Sequence, residues 1–521
     1  MAPSHVTGIR QGVNPFLIAS IVGLASFMEV LDISIANVSL RNIAGSLSAG
    51  QDESTWVLTS YLVANAIALP MSGWFSNVLG RKRFYVISIA LFTASSLLCG
   101  LAPSLSWLIF FRVLQGLGGG ALQPVSQSIV SDAFPAGQRG MAMAIYGMSV
   151  VAAPAIGPTL GGWITDNFSW HWVFLINVPI GIVLIVLARM LIQDPEALVE
   201  ARKARLKDAF QIDYLGFALI ALGLGALQIV LDKGQQEDWF ESPFIVWTAI
   251  GSAVALAGAV FWEWQHRHPV VNLRLVLDRN FSLGMVLMFM LGFVLMGSTL
   301  LLPLMTQTLL GYTPTRAGEV LSPGGVMIIF LMPLVGVLVT RVDTRALITF
   351  GLCTVSASMF YMTTMTLDVD FPTLVLARIM QTVGLAFLFI PINVTAYAST
   401  PQTEGGSASA LINLSRNIGS SVGISLLTTF LARGAQTHQA NMVDRFTPLD
   451  PAYQATQQAL LQQLGDPAAV TGMMYGMLQR QATMLSFIDN YWFLGVCILC
   501  VIPLPFLMRK ADPSLAPLDA H

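Results

Sequence analysis

The sequence predicts an all-α membrane protein with fourteen transmembrane helices. We expect two six-helix bundles in a parallel pseudo-twofold repeat, with two further helices inserted between them. Three observations lead to this prediction: the apolar composition, the recurrence of apolar runs of about 20 residues, and an internal repeat. Of the 521 residues, 55% are hydrophobic and 10% are charged, whereas soluble domains carry about 25% charged residues. The net charge of −2 gives no reason to expect nucleic-acid binding.

The apolar runs are bounded by charges, glycines or prolines. They lie near residues 16–38, 54–76, 84–102, 105–131, 140–164, 170–190, 212–232, 244–264, 280–304, 316–339, 345–367, 371–398, 406–432 and 486–508. An even number of spans places both termini on one side of the bilayer. The N-terminus and alternate loops carry 17 of the 26 basic residues, the opposite loops carry 6 and the spans carry 3. By the positive-inside rule, both termini are predicted to be cytoplasmic.

The internal repeat appears at a fixed offset of 266 residues. It aligns Arg112, Gln115, Gly118, Gly140, Ala142, Ala144 and Gly157 with Arg378, Gln381, Gly384, Gly406, Ala408, Ala410 and Gly423. Both copies start on the same side, which predicts halves related by an axis along the membrane normal. The seventh and eighth spans have no partner in the repeat. We therefore expect an N-terminal bundle at 1–195, a linker with two inserted helices at 196–275, and a C-terminal bundle at 276–521.

One long segment, residues 433–482, is rich in Gln and Ala and is predicted to lie outside the membrane on the external side. Asp450 before Pro451 and Asp466 before Pro467 are typical helix starts, and Gly465 can end the first helix. Two interpretations fit this segment: an ordered cap over the external mouth, or a docking surface for a partner protein.

Two carboxylates, Glu29 and Asp32, stand inside the first apolar run. Each costs about 2.5–3.5 kcal/mol near the bilayer centre, so a function is expected for at least one of them. Residues three apart share a helix face, which we expect to line a polar cavity with a proton site. Arg112 in the fourth span needs a carboxylate, carbonyl groups or water, and these two acids are its expected partners. The alternative is that Arg112 is a permanently paired core cation.

Further polar and aromatic side chains within spans predict a cavity for amphipathic organic molecules, with apolar walls and a few polar contacts. The predicted cavity residues are Phe27, Asn37, Asn65, Phe111, Gln115, Gln123, Asn393, Asn413 and Arg416. The alternative for each polar member is a structural interhelical hydrogen bond of about 0.6 kcal/mol.

A second group of residues predicts gating and close helix packing. Glycines allow close backbone approach, prolines kink helices, and a basic cluster can pair with carboxylates or helix C-termini. The members are Gly73, Gly80, Arg81, Lys82, Pro154, Gly157, Pro158, Gly161 and Gly162.

Several of these motifs resemble those of the major facilitator superfamily. Gly73 with Gly80, Arg81 and Lys82 is similar to its loop signature, although Asn77 stands where the family has Asp. The run from Gly157 to Gly162 resembles the motif of its antiporters. Residues 31–37 and 170–181 are similar to signatures of the fourteen-span drug:proton antiporters, and the long external loop matches EmrB-type multidrug exporters.

This resemblance implies proton-coupled export of hydrophobic or amphipathic toxic compounds across the inner membrane of a Gram-negative bacterium, by alternating access. It implies a periplasmic adaptor of the EmrA type and an outer-membrane channel of the TolC type. It also places Asp32 on the antiporter motif as the proton carrier, with Glu29 as a helper or substrate-facing carboxylate.

Two other functions are alternatives to export. A proton symporter importing a nutrient, lipid or siderophore has the same fold, but the proline and glycine motif of the fifth span argues against it. A non-transporting scaffold has little reason to bury so many charges. The glycines at 116–120 lack the Lys and Ser or Thr of a nucleotide-binding loop, and Cys497 with Cys500 lacks a second ligand pair. The sequence thus predicts a transporter, not an enzyme, driven by the proton gradient without a metal or other cofactor.

Overall fold

A computed structural model describes residues 14–134, 136–195, 198–200, 202, 213–266, 269–398, 400, 404–444 and 447–509. The start of the predicted span at 212 lies outside these residues. So do seven of the basic residues used to predict the topology: Arg10, Lys203, Arg205, Lys207, Arg267, Arg445 and Lys510.

Helices and no β-strand make up the regular secondary structure of the described residues, with turns and loops between the helices. The N-terminal half comprises α1 (Pro15–Ser46), α2 (Gln51–Ser54), α3 (Trp56–Leu79), α4 (Arg81–Gly100), α5 (Leu105–Gly119), α6 (Leu122–Ala133), α7 (Ala136–Asn167), α8 (His171–Leu175) and α9 (Asn177–Leu191). The inserted helices are α10 (Tyr214–Lys233) and α11 (Pro243–Gln265). The C-terminal half comprises α12 (Arg279–Thr308), α13 (Pro314–Leu338), α14 (Thr344–Met362), α15 (Phe371–Ala396), α16 (Gly405–Val443), α17 (Pro451–Leu464), α18 (Pro467–Val501) and α19 (Leu504–Leu507).

A helix lies at each of the fourteen predicted spans. Within the described residues, twelve helices are long and apolar enough to cross a membrane, with α5 and α6 forming one span and α8 and α9 another. With the two segments of the bent helix α7 counted as one span, thirteen helices meet this criterion. The remaining span, α16, has 39 residues but is too polar to meet the same test. Several of its polar side chains line the cavity described below and others form hydrogen bonds with the N-terminal half, so their cost is met inside the protein and not in lipid.

Helix α7 packs along α1 and also contacts α13 of the other half. Its segments Arg139–Pro154 and Ile156–Asn167 meet at 48°, where Pro154 and Pro158 interrupt the helical hydrogen bonds. Beyond the bend, a Cβ at Gly161 would lie 3.1 Å from Ile35 Cα. The helix therefore approaches α1 closely just past Asp32.

The segment at 433–482, predicted to lie outside the membrane, is largely helical in its described residues. Asp450 accepts a hydrogen bond from Ala452 N and Asp466 accepts one from Ala468 N, each at 2.9 Å, and Gly465 ends α17 at φ 70°. The predicted helix starts and stop are therefore present. The helix of the last span, α18, however, begins at Pro467 and not near residue 486, because the polar extension and the apolar span form one continuous helix.

Candidate functional site

Glu29 and Asp32 are both 1% exposed, yet they face different neighbours. Asp32 points toward α5 and α9, whereas Glu29 points toward α3 and α6. Three residues turn an α-helix through about 300°, so the two side chains differ in direction by about 60°. Glu29 lines the cavity described below, and Asp32 is not among the lining residues of that cavity. The predicted pair thus divides between two clusters.

Asp32 accepts hydrogen bonds from three side chains. Arg112 Nη1 donates to its Oδ2 at 2.5 Å. Gln115 Nε2 and Asn177 Nδ2 donate to its Oδ1 at 2.9 and 2.7 Å, and both also donate to Ser96 Oγ. These donors, one of them charged, compensate for removing the carboxylate from water.

Arg112, which is fully buried, is held in place from several sides. Its Nε donates to the Val57 carbonyl at 3.0 Å, and its Nη1 also donates to Gln115 Oε1 at 2.8 Å. The guanidinium carbon lies 4.2 Å from the centre of the Tyr61 ring, a cation–π contact. The expected pairing of Arg112 with a carboxylate is therefore present, and its partner is Asp32.

The second repeat copy has the same arrangement without the acid. Arg378 Nη1 donates to Gln381 Oε1 at 2.7 Å, and Gln381 Nε2 donates to Ser298 Oγ. The offset of 266 residues that joins the two arginines also joins Asp32 to Ser298. Among the described residues, no carboxylate pairs with Arg378.

A cavity of about 410 Å³ lies between helices of the two halves and the inserted helix α10. Its apolar lining residues are Val30, Ile33, Leu40, Leu58, Leu62, Ala66, Val150, Leu231, Leu295, Met296, Leu300 and Ile424. Its polar lining residues are Glu29, Asn37, Thr55, Asn65, Gln123, Gln228, Asp232, Gln235, Gln236, Arg416, Asn417, Ser420, Ser421, Ser425 and Thr428. Apolar walls with several amide and hydroxyl groups suit amphipathic ligands of drug size.

Five of the polar residues form a closed ring of hydrogen bonds on the cavity wall, which we call the Glu29 ring. In its short arm, Arg416 Nη2 donates to Gln123 Oε1, and Gln123 Nε2 donates to Glu29 Oε2. In its long arm, Arg416 Nη2 donates to Asn417 Oδ1 at 3.5 Å and Asn417 Nδ2 donates to Asn65 Oδ1 at 3.4 Å. The long arm closes where Asn65 Nδ2 donates to Glu29 Oε1 at 3.0 Å. The ring joins α1, α3 and α6 of the N-terminal half to α16 of the C-terminal half.

The cavity extends from this ring to one end of the helices, which we call the mouth end. Leu40 near the end of α1, Thr55 just before α3 and Gln236 just after α10 line it there.

At the opposite end the two halves are in contact. A Cβ at Gly73 would lie 3.1 Å from the backbone of Ser407, and Ser128 Oγ lies 2.8 Å from Ser409 Oγ. Gln127 accepts hydrogen bonds there from Asn413 Nδ2 at 2.6 Å and Tyr397 Oη at 3.0 Å. The cavity is therefore separated from that end by packed backbone and hydrogen bonds.

The structure brings four of the predicted cavity residues to the cavity: Asn37, Asn65, Gln123 and Arg416. The other five lie elsewhere. Phe27 packs against the apolar core, and Phe111 stacks on Trp107 with ring centres 5.5 Å apart. Gln115 belongs to the Asp32 cluster.

Two predicted amides also lie outside the cavity. Asn413 bonds to Gln127 at the closed end, and Asn393 Nδ2 donates to the Phe389 carbonyl of its own helix at 2.8 Å. For Asn393 the alternative interpretation, a structural hydrogen bond, describes the observed contact.

The loop motif lies at the closed end. Gly80 has φ 89°, a left-handed conformation that favours glycine. Arg81 is 3% exposed and forms an ion pair with Asp132 of α6. The backbone N–H of Lys82 donates to Asp194 Oδ1 at 2.7 Å. Asp132 and Asp194 are not distinguished in the sequence as partners of this motif, although a buried arginine is expected to pair with a nearby carboxylate.

Other functional residues were also missed. Asn177 was noted within a motif but not as an Asp32 partner, and Asn417 follows Arg416 directly. Gln228 and Asp232 lie one helical turn apart on α10, so they share a face that lines the cavity. That i, i+4 pair of polar residues in an apolar helix was the available signal.

The described residues contain no group of three or more His, Cys, Asp or Glu side chains that could hold a metal ion.

A bundle of membrane-spanning helices around a cavity between two repeated halves defines a multi-pass membrane protein of the transporter type. The sequence profile of the Major Facilitator Superfamily matches residues 22–424. The chain belongs to this superfamily.

Relatives match along nearly the whole chain. The Fatty acid resistance protein FarB of Neisseria gonorrhoeae is 35% identical over 94% of this chain and 95% of its own. The Multidrug export protein EmrB of Escherichia coli (strain K12) is 33% identical over 96% of each chain. The resemblance to EmrB-type multidrug exporters predicted from the motifs is confirmed.

A solved structure shows the same fold. The proton:xylose symporter XylE bound to 6-bromo-6-deoxy-D-glucose aligns with a TM-score of 0.62, covering 96% of this chain and 97% of its own at 14% identity. The predicted all-α fold of this superfamily is therefore confirmed.

Proposed function

We propose that this protein exports hydrophobic or amphipathic toxic compounds across the inner membrane in exchange for protons, by alternating access. One observation carries the proposal: an ionisable carboxylate, Glu29, lies on the wall of an apolar cavity between the two halves. A substrate and a proton can therefore act on the same site. The relatives named for multidrug export and fatty acid resistance support this function.

The two carboxylates take different parts in the proposed coupling. To bind Asp32, a proton has to displace the positively charged Arg112 from the carboxylate. To bind Glu29, a proton competes only with neutral amide and hydroxyl donors. Glu29 is therefore the carboxylate that exchanges protons with the cavity. Asp32 and Arg112 form the buried ion pair that holds α1 against α5. Each proton crossing about 100 mV supplies about 2.3 kcal/mol.

The substrates are small lipophilic molecules with polar groups. The apolar walls bury their hydrocarbon or aromatic parts, and the amides of the Glu29 ring with Gln228 bind their polar parts. Transport changes no covalent bond in the substrate, so the protein is not an enzyme and needs no cofactor besides the proton gradient.

The proposed setting is the inner membrane of a Gram-negative bacterium, with both termini in the cytoplasm and the cavity mouth on the external side. In that orientation α17 and the outer parts of α16 and α18 project into the periplasm. Every residue of α17 is at least partly exposed, which supports docking of an EmrA-type adaptor that leads to a TolC-type channel.

A toxin panel tests the proposal. An efflux-deficient bacterium producing the wild-type protein is expected to tolerate several lipophilic antibiotics, dyes, uncouplers or fatty acids better than a strain without it. Asp32→Asn and Glu29→Gln are expected to abolish that protection at equal protein levels. Asn490→Leu is the control, because Asn490 is buried in α18 with its amide bonded to Ser486 of the same helix. Protection from no compound, or full protection by both acid variants, contradicts the proposal.

A further inference from the structure

Hydrogen bonds in the Glu29 ring all run in one direction. Arg416 donates into both arms, and Glu29 accepts at the end of both arms. A guanidinium can only donate and an ionised carboxylate can only accept. The amides between them are therefore aligned head to tail, with each C=O toward Arg416 and each NH₂ toward Glu29, an arrangement in which the bonds strengthen one another.

A proton on Glu29 weakens this alignment. The neutral carboxyl group can still accept hydrogen bonds, but its O–H has to point away from the NH₂ groups of Asn65 and Gln123, which are also donors. The hydroxyl of Tyr61 lies 3.4 Å from Glu29 Oε1 and can accept instead. Protonation thus replaces the charge-assisted hydrogen bonds at the end of both arms by weaker neutral ones and loosens the ring.

The arms are also links between the two halves. Glu29, Asn65 and Gln123 lie on helices of the N-terminal half, whereas Arg416 and Asn417 lie on α16 of the C-terminal half. The short arm is the stronger link, because the bonds that involve Asn417 are 3.4 and 3.5 Å long.

We propose that the Glu29 ring is a proton-operated clasp between the two halves, with Gln123, Asn65 and Asn417 as its positioning residues. The proposal rests on the proposed function and adds a mechanism for coupling. While Glu29 is ionised and the cavity is empty, the ring holds the halves in the mouth-open arrangement. Protonation of Glu29 releases them, so an empty carrier returns only with its proton.

Other ionisable groups surround Glu29. Tyr61 reaches it from α3, Tyr146 of α7 donates to the Gln123 carbonyl at 3.4 Å, and Asp32 is on the same helix. From α10, Asp232 lines the same cavity. Of these four ionisable groups, Tyr61 is the one that contacts Glu29 directly. The other direct polar contacts of Glu29 are the ring amides of Asn65 and Gln123.

Distances between spin labels test the clasp without a substrate. Labels at Leu101 and Asp368 report on the mouth end of each half, since Leu101 follows α4 at 64% exposure and Asp368 is exposed before α15. The four native cysteines are first replaced by serine. In the wild type, the population with a short label distance is expected to increase from mildly alkaline to mildly acidic buffer.

The ring variants are expected to lose this pH response. Gln123→Met breaks the short arm, Asn417→Leu breaks the long arm, and Glu29→Gln makes the acceptor permanently neutral. Each should give the acid-type distance distribution in both buffers, whereas Asn490→Leu should respond as the wild type does. If Gln123→Met does not fold, Asn417→Leu decides the result alone.

Three outcomes overturn the clasp: no pH response in the wild type, an unchanged response in Glu29→Gln, or an unchanged response in both amide variants. These measurements involve no transported compound. Failure of the clasp is therefore distinguishable from failure of the proposed export, which the toxin panel measures.

Discussion

At the scale of single residues, partners distinguish two carboxylates that look alike in the sequence. Asp32 binds a guanidinium and two amides and does not line the cavity between the halves, whereas Glu29 binds amides and a hydroxyl on the wall of that cavity. Asn177 is the partner that ties Asp32 to α9. The stability of the Asp32 cluster should therefore depend on the chemistry at position 177.

Two substitutions of Asn177 test this dependence. Asn177→Leu removes one donor from Asp32 and should lower stability by about 1–3 kcal/mol. Asn177→Asp should lower it further, because a second carboxylate then lies beside Asp32. Thermal unfolding of the purified variants in detergent gives the order. Equal or reversed effects would show that Asn177 does not stabilise Asp32 as a donor.

At the scale of helices, α7 is one of the elements that join the two halves, through its contact with α13. Near the closed end, a Cβ at Gly140 would lie 2.7 Å from the Gly336 carbonyl oxygen on α13. Glycine at this point lets the two backbones touch, and a larger side chain has to separate them.

Gly140→Leu should therefore open the closed end and favour the arrangement in which the cavity faces the other side. A cysteine introduced at Ser409, which lies at that end, should react several-fold faster with a polar thiol reagent in this background. Gly251→Leu is the matched control, since nothing lies within 4 Å of a Cβ at Gly251. Equal labelling rates in the Gly140→Leu and Gly251→Leu backgrounds would show that the contact between Gly140 and Gly336 does not hold this end closed.

At the scale of the whole molecule, the repeat is symmetric in fold and asymmetric in chemistry. Arg112 and Arg378 occupy equivalent positions, but Asp32 has Ser298 as its equivalent. The carboxylates of both clusters, Asp32 and Glu29, belong to the N-terminal half, and Arg416 of the Glu29 ring belongs to the C-terminal half. The two halves therefore supply opposite charges to the cavity wall.

Much of this organisation follows from the sequence. The helical spans, the offset of 266 residues and the pairing of Arg112 with a carboxylate are all visible as patterns of polarity. The pattern could not show that Glu29 lines the cavity and that Asp32 lies in a separate cluster. The two side chains differ in direction by only about 60° around the axis of α1, and this difference decides which one lines the cavity. The sequence pattern also could not show that α10 lines the cavity, since that position depends on its packing against α3 and α16.

The Glu29 ring could not be predicted for a related reason. Its five members come from four helices that are distant in the sequence. Asn417 belongs to the ring because it donates a hydrogen bond to Asn65 of the other half, a contact that the sequence does not reveal. The polarity of residues 467–485 hides the extension of α18 beyond the membrane span, although Asp466 and Pro467 are a typical helix start.

The central claim is that protons and lipophilic compounds move through this protein in opposite directions. Proteoliposomes containing the purified protein test it when the internal pH and the concentration of a lipophilic cationic dye, ethidium, are recorded together. An imposed pH gradient should drive ethidium against its own gradient as protons flow the other way, and Glu29→Gln should stop both fluxes. Movement of ethidium and protons in the same direction, or ethidium transport that ignores the pH gradient, would contradict the account.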